Sequence, residues 1–174
     1  LIRLVLFHTI MNEIFTYTIP VFIKMLGGLK NTVTKVAEFS KEKNIDESIL
    51  LQDRLIPDMF PFARQVQIAC DNAKGAASRL TGKEMPKFDD NEKTTDELHV
   101  RIDKTIEYLK TFNEVNFKNS ADVKVQLPYF PNKYMTGFDY AREYAIPNFL
   151  FHITVAYTIA RHNGVNLGKA DYMN

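Results

Sequence analysis

Apolar positions recur along this chain at alternating steps of three and four, the spacing that puts them on one face of a helix. The first seam runs through Phe15, Ile19, Phe22, Leu26, Leu29, Val33 and Val36, and Asn44-Ile45-Asp46 ends it. After a short connector, a second seam follows Pro57: Phe62, Val66, Ala69, Ala73, Ala76 and Leu80. Its alanines, with Gly75 beside them, allow a neighbouring helix to approach closely, and Thr81-Gly82 supplies a left-handed stop. Asp58, ahead of Pro61, reads as the cap of this second helix.

Residues Lys83 to Lys93 are polar, contain Pro86 and read as a loop. Thr94-Thr95-Asp96-Glu97 then offers capping side chains and early-turn acids for a third helix. That helix turns Leu98, Ile102, Thr105, Leu109 and Phe112 inward. Between Asp122 and Gly137 the period changes to two, through Val123, Val125, Leu127, Tyr134 and Thr136 around a turn-rich Pro128 to Asn132. This predicts a short β-hairpin. The fourth helix extends from about Phe138 to Asn163, kinked at Pro147 and stopped by Gly164. Ala145, Phe149, His152, Ala156 and Ile159 form its seam, yet Phe151, Ile153, Val155 and Tyr157 make it apolar nearly all round. Burial on more than one side follows, and homodimerisation through this helix is the expectation. Four helices with short connections make an all-α bundle, with the hairpin between helices three and four.

Composition narrows the picture further. At 174 residues and 45% hydrophobic content the chain suits one domain with a sizeable core. A formal charge of +1, with both signs interspersed, argues against a nucleic-acid footprint, and no apolar run reaches the ~20 residues of a membrane span. The single Cys70 excludes an internal disulfide and suits a reducing cytoplasm. Residues 1–10 read as an extension upstream of the true start, since Met11 directly precedes the first periodic helix; residues 11–174 form the domain.

Several stretches carry a family likeness: Thr18-Ile19-Pro20-Val21-Phe22, Pro57 to Gly75, Asp90-Asn91-Glu92, Pro147-Asn148-Phe149, Arg161-His162-Asn163-Gly164-Val165 and Leu167-Gly168. Through them the chain, from about Ile14 to Asn174, resembles a bacterial family of unassigned activity in the DinB/YfiT-like superfamily. The resemblance implies a four-helix bundle, usually dimeric. Characterised members of the superfamily include metal-dependent thiol transferases and maleylpyruvate isomerases. Their metal rests on one histidine of the second helix and an H-x-x-x-H pair of the fourth, three ligands that leave one coordination place open.

Aligned on Gly164, that pair falls on Asn148 and His152; aligned on Leu80-Thr81-Gly82, the remaining ligand falls on Ile68, or on Gln67 with a one-residue slip. One imidazole with two amides makes a poor zinc or nickel site, so the triad reads as dismantled and no cofactor is assigned. Should a divalent metal bind, His152, Asn148 and Gln67 are the residues to hold it.

Each singled-out residue has a plainer use. His152 on the inner seam can be a core histidine satisfied by one hydrogen bond, and Asn148 can satisfy a backbone group freed by Pro147. Arg64, Gln67, Asp71 and Lys74, at three- and four-residue steps, read first as a solvated face with weak ion pairs and otherwise as one wall of a polar cleft. His162 suits the negative end of the helix dipole, and His99 reads as a surface residue. No nucleophile elbow, phosphate loop or dinucleotide fingerprint is present. The leading expectation is a small-molecule pocket lined by Asn148, His152, Gln67, Arg64, Asp71 and Phe149 in a cytoplasmic homodimer. A metal-dependent transferase or hydrolase is the alternative from another class, and a non-catalytic interaction module the third.

Overall fold

Four long helices pack in a closed ring in the computed structural model, which describes residues 12–129 and 131–174. The expected extension at residues 1–10 lies outside them. In order the elements are α1 (Glu13–Lys43), α2 (Glu47–Gln52), α3 (Phe62–Thr81), α4 (Thr95–Lys110), a 3-10 turn (Glu114–Phe117), β1 (Lys124–Gln126), β2 (Tyr134–Thr136), α5 (Gly137–Asp139), a π-helical stretch (Tyr140–Ala145), α6 (Ile146–His162) and α7 (Lys169–Met173). α1 packs on α4 and α6, while α3 packs on α4 and α6, which makes the expected bundle. α7 closes back on α1.

The ends of the helices follow local chemistry. Asn12 Oδ1 accepts from the Phe15 N–H at 3.1 Å, satisfying one of the orphan donors of α1. Asn44 ends that helix in the left-handed region at φ 54°. Thr94 and Glu97 form a reciprocal capping box on α4, and Gly82 stops α3 at φ 75°. Asp58 does not cap α3: the cap position is Pro61, without a side-chain bond, and Asp58 is exposed in the turn before it.

The alanines of α3 meet α6, and Val66, Ala69, Ala73, Ala76 and Leu80 are fully buried there. α6 contributes Phe149, Ile153, Ala156 and Ile159 to the core and is flanked by α1 and α3 at once. Two neighbours within one chain thus take up most of its apolar circumference. Pro147, Phe151, Thr154, Thr158, Arg161 and His162 are its exposed residues.

In a regular helix the Pro147 ring would crowd the carbonyl four residues earlier. The backbone widens just before it: the Ile146 N–H reaches the Ala141 carbonyl, five residues back, in a π turn. In the hairpin, Val125 pairs with Met135, and directly opposed residues share a face. Met135 therefore turns inward in β2, where the sequence pattern had Tyr134 and Thr136. Among the described residues no helix is long and apolar enough to cross a membrane.

Candidate functional site

α3 and α6 run antiparallel, and three polar side chains of α3 at seven-residue spacing meet partners across the groove. Seven residues are close to two helical turns, so the three share a face. Gln65 meets His152, Asn72 meets Asn148, and Arg79 meets Tyr140 of the π stretch. The widened π turn thus stands opposite the last rung.

The first rung has a defined polarity. Gln65 Nε2 donates to the Phe60 carbonyl at 2.9 Å, which leaves Gln65 Oε1 to face His152 Nδ1 at 2.6 Å. An amide oxygen can only accept, so the imidazole carries its proton on Nδ1 and Nε2 keeps a lone pair. His152 is only 8% exposed. Burial, reinforced by the nearby Arg64 charge, lowers its pKa to about 4 and keeps the ring neutral near pH 7.

Next to these rungs lies a cleft of about 690 Å³. Phe60, Arg64, Ile68 and Asn72 form one wall, and Tyr144, Asn148 and His152 the opposite one. Phe88 and Tyr129 stand at its rim, from the 83–93 segment and the hairpin loop.

The opposite flank of the α3 polar stripe does something different. Arg101 of α4, 2% exposed, donates through Nη2 to Asp71 and Asp90 at 2.8 Å each, and through Nη1 to Glu92 at 2.8 Å and the Asp89 carbonyl at 3.1 Å. Gln67 Nε2 donates to Glu92 at 2.9 Å and its Oε1 accepts from Arg64 at 3.0 Å, while Arg64 also pairs with Asp90. Lys74, 3% exposed, pairs with Asp71 at 3.0 Å, donates to the Pro86 carbonyl and sits 3.9 Å above the Phe88 ring. The segment expected as a plain loop is therefore a strap, fastened across α3 and α4 by buried charge. Burial alone would raise the Asp90 carboxyl, but the Arg64 hydrogen bond and the Arg101 charge outweigh it and hold it below the ordinary range. Cys70, buried beside this network, has its thiol pushed up to about 12, mainly by desolvation, and is no nucleophile.

Of the residues singled out from sequence, His152, Asn148, Arg64 and Asp71 come together on the cleft. Gln67 does not: it is 5% exposed and spent in the strap network. Phe149 faces the core, its ring 4.5 Å from that of Phe22. The plain reading of Arg64, Gln67, Asp71 and Lys74 as a solvated face fails for Gln67 and Lys74, which the strap buries, and holds in part for Arg64 and Asp71, each with 36% of its side chain exposed and in ion pairs. His99 is half-buried against the Thr34 hydroxyl, with its pKa lowered by burial and by Lys30. Gln65, Asn72, Arg79, Arg101 and the aromatic rim were not singled out. The seven-residue recurrence of polar residues in α3 was a readable signal for the first three. Arg101 falls three residues after Leu98 and four before Thr105, which is an inward position.

These donors do not fit the three-histidine centre that the superfamily resemblance implies. One imidazole is present, with Nδ1 committed to Gln65. The Asn148 amide donates to Asn72, and Ile68 stands where a third ligand is needed. Among the described residues, no three or more His, Cys, Asp or Glu side chains are grouped to share an ion.

A family model described as "Domain of unknown function (DUF1993)" matches residues 14–173. The chain is also similar to a crystal structure of a DinB family member protein from Shewanella denitrificans at 1.83 Å resolution. The two share 46% identity over 92% of this chain and 91% of that one, with a TM-score of 0.88. No curated protein matches the chain. With nearly its whole length covered by that family model and its bundle matched by a DinB-like structure, the chain belongs to the DUF1993 family of DinB-like helical proteins.

Proposed function

We propose that the protein binds a small polar molecule in the cleft between α3 and α6, with His152 as the group that orients it. The carrying observation is the relay from the Phe60 carbonyl through Gln65 to His152, which fixes the tautomer and leaves Nε2 as an acceptor beside an aromatic-rimmed cavity. A ligand N–H or O–H reaching that lone pair gains about 0.5–1.5 kcal/mol and, more usefully, a fixed orientation. No catalytic step is assigned.

The protein acts in this proposal as a homodimer in the cytoplasm. The exposed Phe151 on α6 supports the first part and the unpaired buried Cys70 the second. Phe151→Asp is then expected to halve the mass seen by light scattering.

Thermal denaturation across a metabolite panel tests the binding claim. A stabilising compound whose effect disappears in His152→Ala is the expected result. Stabilisation that persists in His152→Ala, or cleft resonances that no compound moves, would defeat it. Near-stoichiometric zinc, nickel or iron in untagged protein, lost in His152→Ala, would restore the metal reading.

A further inference from the structure

We infer that the cleft takes an organic carboxylic acid, its carboxylate anchored by Arg79 and its flat body lying against the tyrosine-lined end. This rests on reading the cleft as a ligand site and adds the chemical class.

Four cations line the cleft, Arg64, Lys74, Arg79 and Lys87, against two carboxylates, Asp71 and Asp89. Half of this charge is already spent: Arg64 pairs with Asp90, while Asp71 is shared between Lys74 and Arg101. Among the described residues neither Arg79 nor Lys87 pairs with a carboxylate. Of the two, Arg79 is the tethered one, through a hydrogen bond to the Tyr140 hydroxyl at 3.3 Å.

The backbone beneath is shaped for that guanidinium. An ideal Cβ on Gly75 would stand 2.5 Å from Arg79 Nη1 and 3.5 Å from Cζ. Arg79 therefore folds back by one turn across the bare face of a buried helical glycine, toward the cleft and the middle rung. A helical side chain leans over the preceding turn, and the missing Cβ at Gly75 lets the guanidinium come down to the backbone there. A planar fork with free N–H groups matches a carboxylate bidentately.

The surroundings agree. Tyr144 stacks on Tyr140 with ring centroids 5.9 Å apart, which stiffens the wall beside Arg79. Burial, and after it the neighbouring Tyr129, raises the Tyr144 pKa, so its hydroxyl remains a neutral donor near an anion. Along α3, Gly75 lies ten residues from Gln65, about 15 Å at 1.5 Å per residue, and only about 5 Å from Asn72. The carboxylate thus lies near the Asn72–Asn148 rung, and the rest of the natural ligand extends along the cleft toward His152, so a short acid probes the Arg79 end alone.

The experiment titrates the full chain with sodium phenylacetate, phenylacetamide and phenyl phosphate, read by calorimetry and by side-chain amide resonances of Asn72 and Asn148. Wild-type protein should prefer phenylacetate over the amide by about tenfold or more, the worth of one charge-assisted bond. Arg79→Gln should erase that preference. Gly75→Ala should erase it too, by displacing the guanidinium, while its melting temperature stays level or rises because alanine favours helix. Equal binding of acid and amide, or a preference untouched by Arg79→Gln, overturns the inference and leaves the cleft as a ligand site. Tighter binding of phenyl phosphate overturns the carboxylate assignment. If none of the three moves a cleft resonance, both the inference and the reading beneath it fall. Loss of phenylacetate binding in His152→Ala alone, with Arg79→Gln silent, would place the anion at the other end and overturn the inference as well.

Discussion

Arg101→Met tests whether the strap is fastened by buried charge. The guanidinium has 1% of its side-chain surface exposed and faces three carboxylates at 2.8 Å. Methionine keeps much of the stem's volume and removes every donor. Breaking a buried pair from one side costs about 3–5 kcal/mol, because the partner charge stays behind uncompensated. Here the figure must be discounted. Asp71 and Asp90 are 36% and 38% exposed, so water takes over part of what they lose; Glu92, at 9%, cannot recover in that way. One stranded carboxylate places the expected loss near the low end, about 3 kcal/mol, or about 6–12 °C in melting temperature for a chain of this size. Urea denaturation followed by circular dichroism measures it, and the slope with denaturant should not change. Adding Glu92→Gln should return part of the loss, since an amide in place of Glu92 can still meet Gln67 and carries no charge. The gap between variant and wild type should narrow in acid. Asp90 has a lowered folded pKa, so its contribution is present above the unfolded carboxylate pKa of about 4 and fades as pH falls through the folded value. A loss below about 1 kcal/mol with the fold intact would refute the reasoning, because surface pairs alone account for that much.

His152 should show no titration near neutral pH. With a folded pKa of about 4 against an ordinary 6.5, its contribution to stability is complete above 6.5 and lost as pH falls toward 4. Imidazole resonances followed through that range should show no midpoint near 6.5, because burial and then the Arg64 charge oppose the imidazolium; a midpoint there would refute this. Gln65→Leu leaves the Nδ1 proton without an acceptor and should cost about 1–3 kcal/mol in denaturant melts; a neutral result would mean that the relay is not structural. Gly82→Ala meets no atom within 4 Å, so its cost is backbone strain alone at φ 75°, about 1 kcal/mol by calorimetry. Asp171, held down to about pKa 2 by Lys35 first and then the Gly168 N–H, ties α7 to α1. Amide protection in α7, with the intrinsic pH dependence of exchange divided out, should hold above the unfolded pKa of about 4 and fall as pH drops toward 2.

The long helices were legible because each buries one broad apolar stripe, and periodicity reports that directly. Gly82, Thr94 and Glu97 mark their ends through local chemistry that needs no tertiary partner. The hairpin could be placed, but not which residue of its second strand faces inward, since that depends on the pairing of Val125 with Met135. The site was only half legible. Asn148 and His152 were found because a four-residue step on a helix leaves them on one face. Gln67 was reached by alignment on Leu80-Thr81-Gly82, which fixes a position along the helix but not which glutamine meets His152; that is Gln65, two residues earlier. Residues 83 to 93 looked solvated because nothing in a string of charges shows that Arg101, eight or more positions later, turns inward to meet them.

The polar residues of α3 thus divide between two tasks, and the division can be tested by separating stability from binding. Gln67, Asp71 and Lys74 face the strap and α4, where every charge has an opposite charge or a carbonyl within reach. Gln65, Asn72 and Arg79 face α6, where the pairs are neutral or half-charged and side a cleft. Evenly matched charge is what a fastening needs, because an unmatched group there only destabilises. Unmatched capacity is what a binding surface needs: His152 keeps its Nε2 acceptor and the Arg79 guanidinium keeps most of its donors. The same helix can carry both because 3.6 residues per turn send positions 67 and 74 to one side and 65, 72 and 79 to another. Arg101→Met should therefore lower stability, weakening ligand affinity only as far as the fold loosens, whereas Arg79→Gln should lower affinity with stability nearly unchanged. A strong stability loss in Arg79→Gln would show that the third rung is part of the fastening, and the assignment of α3's two faces would then have to be abandoned.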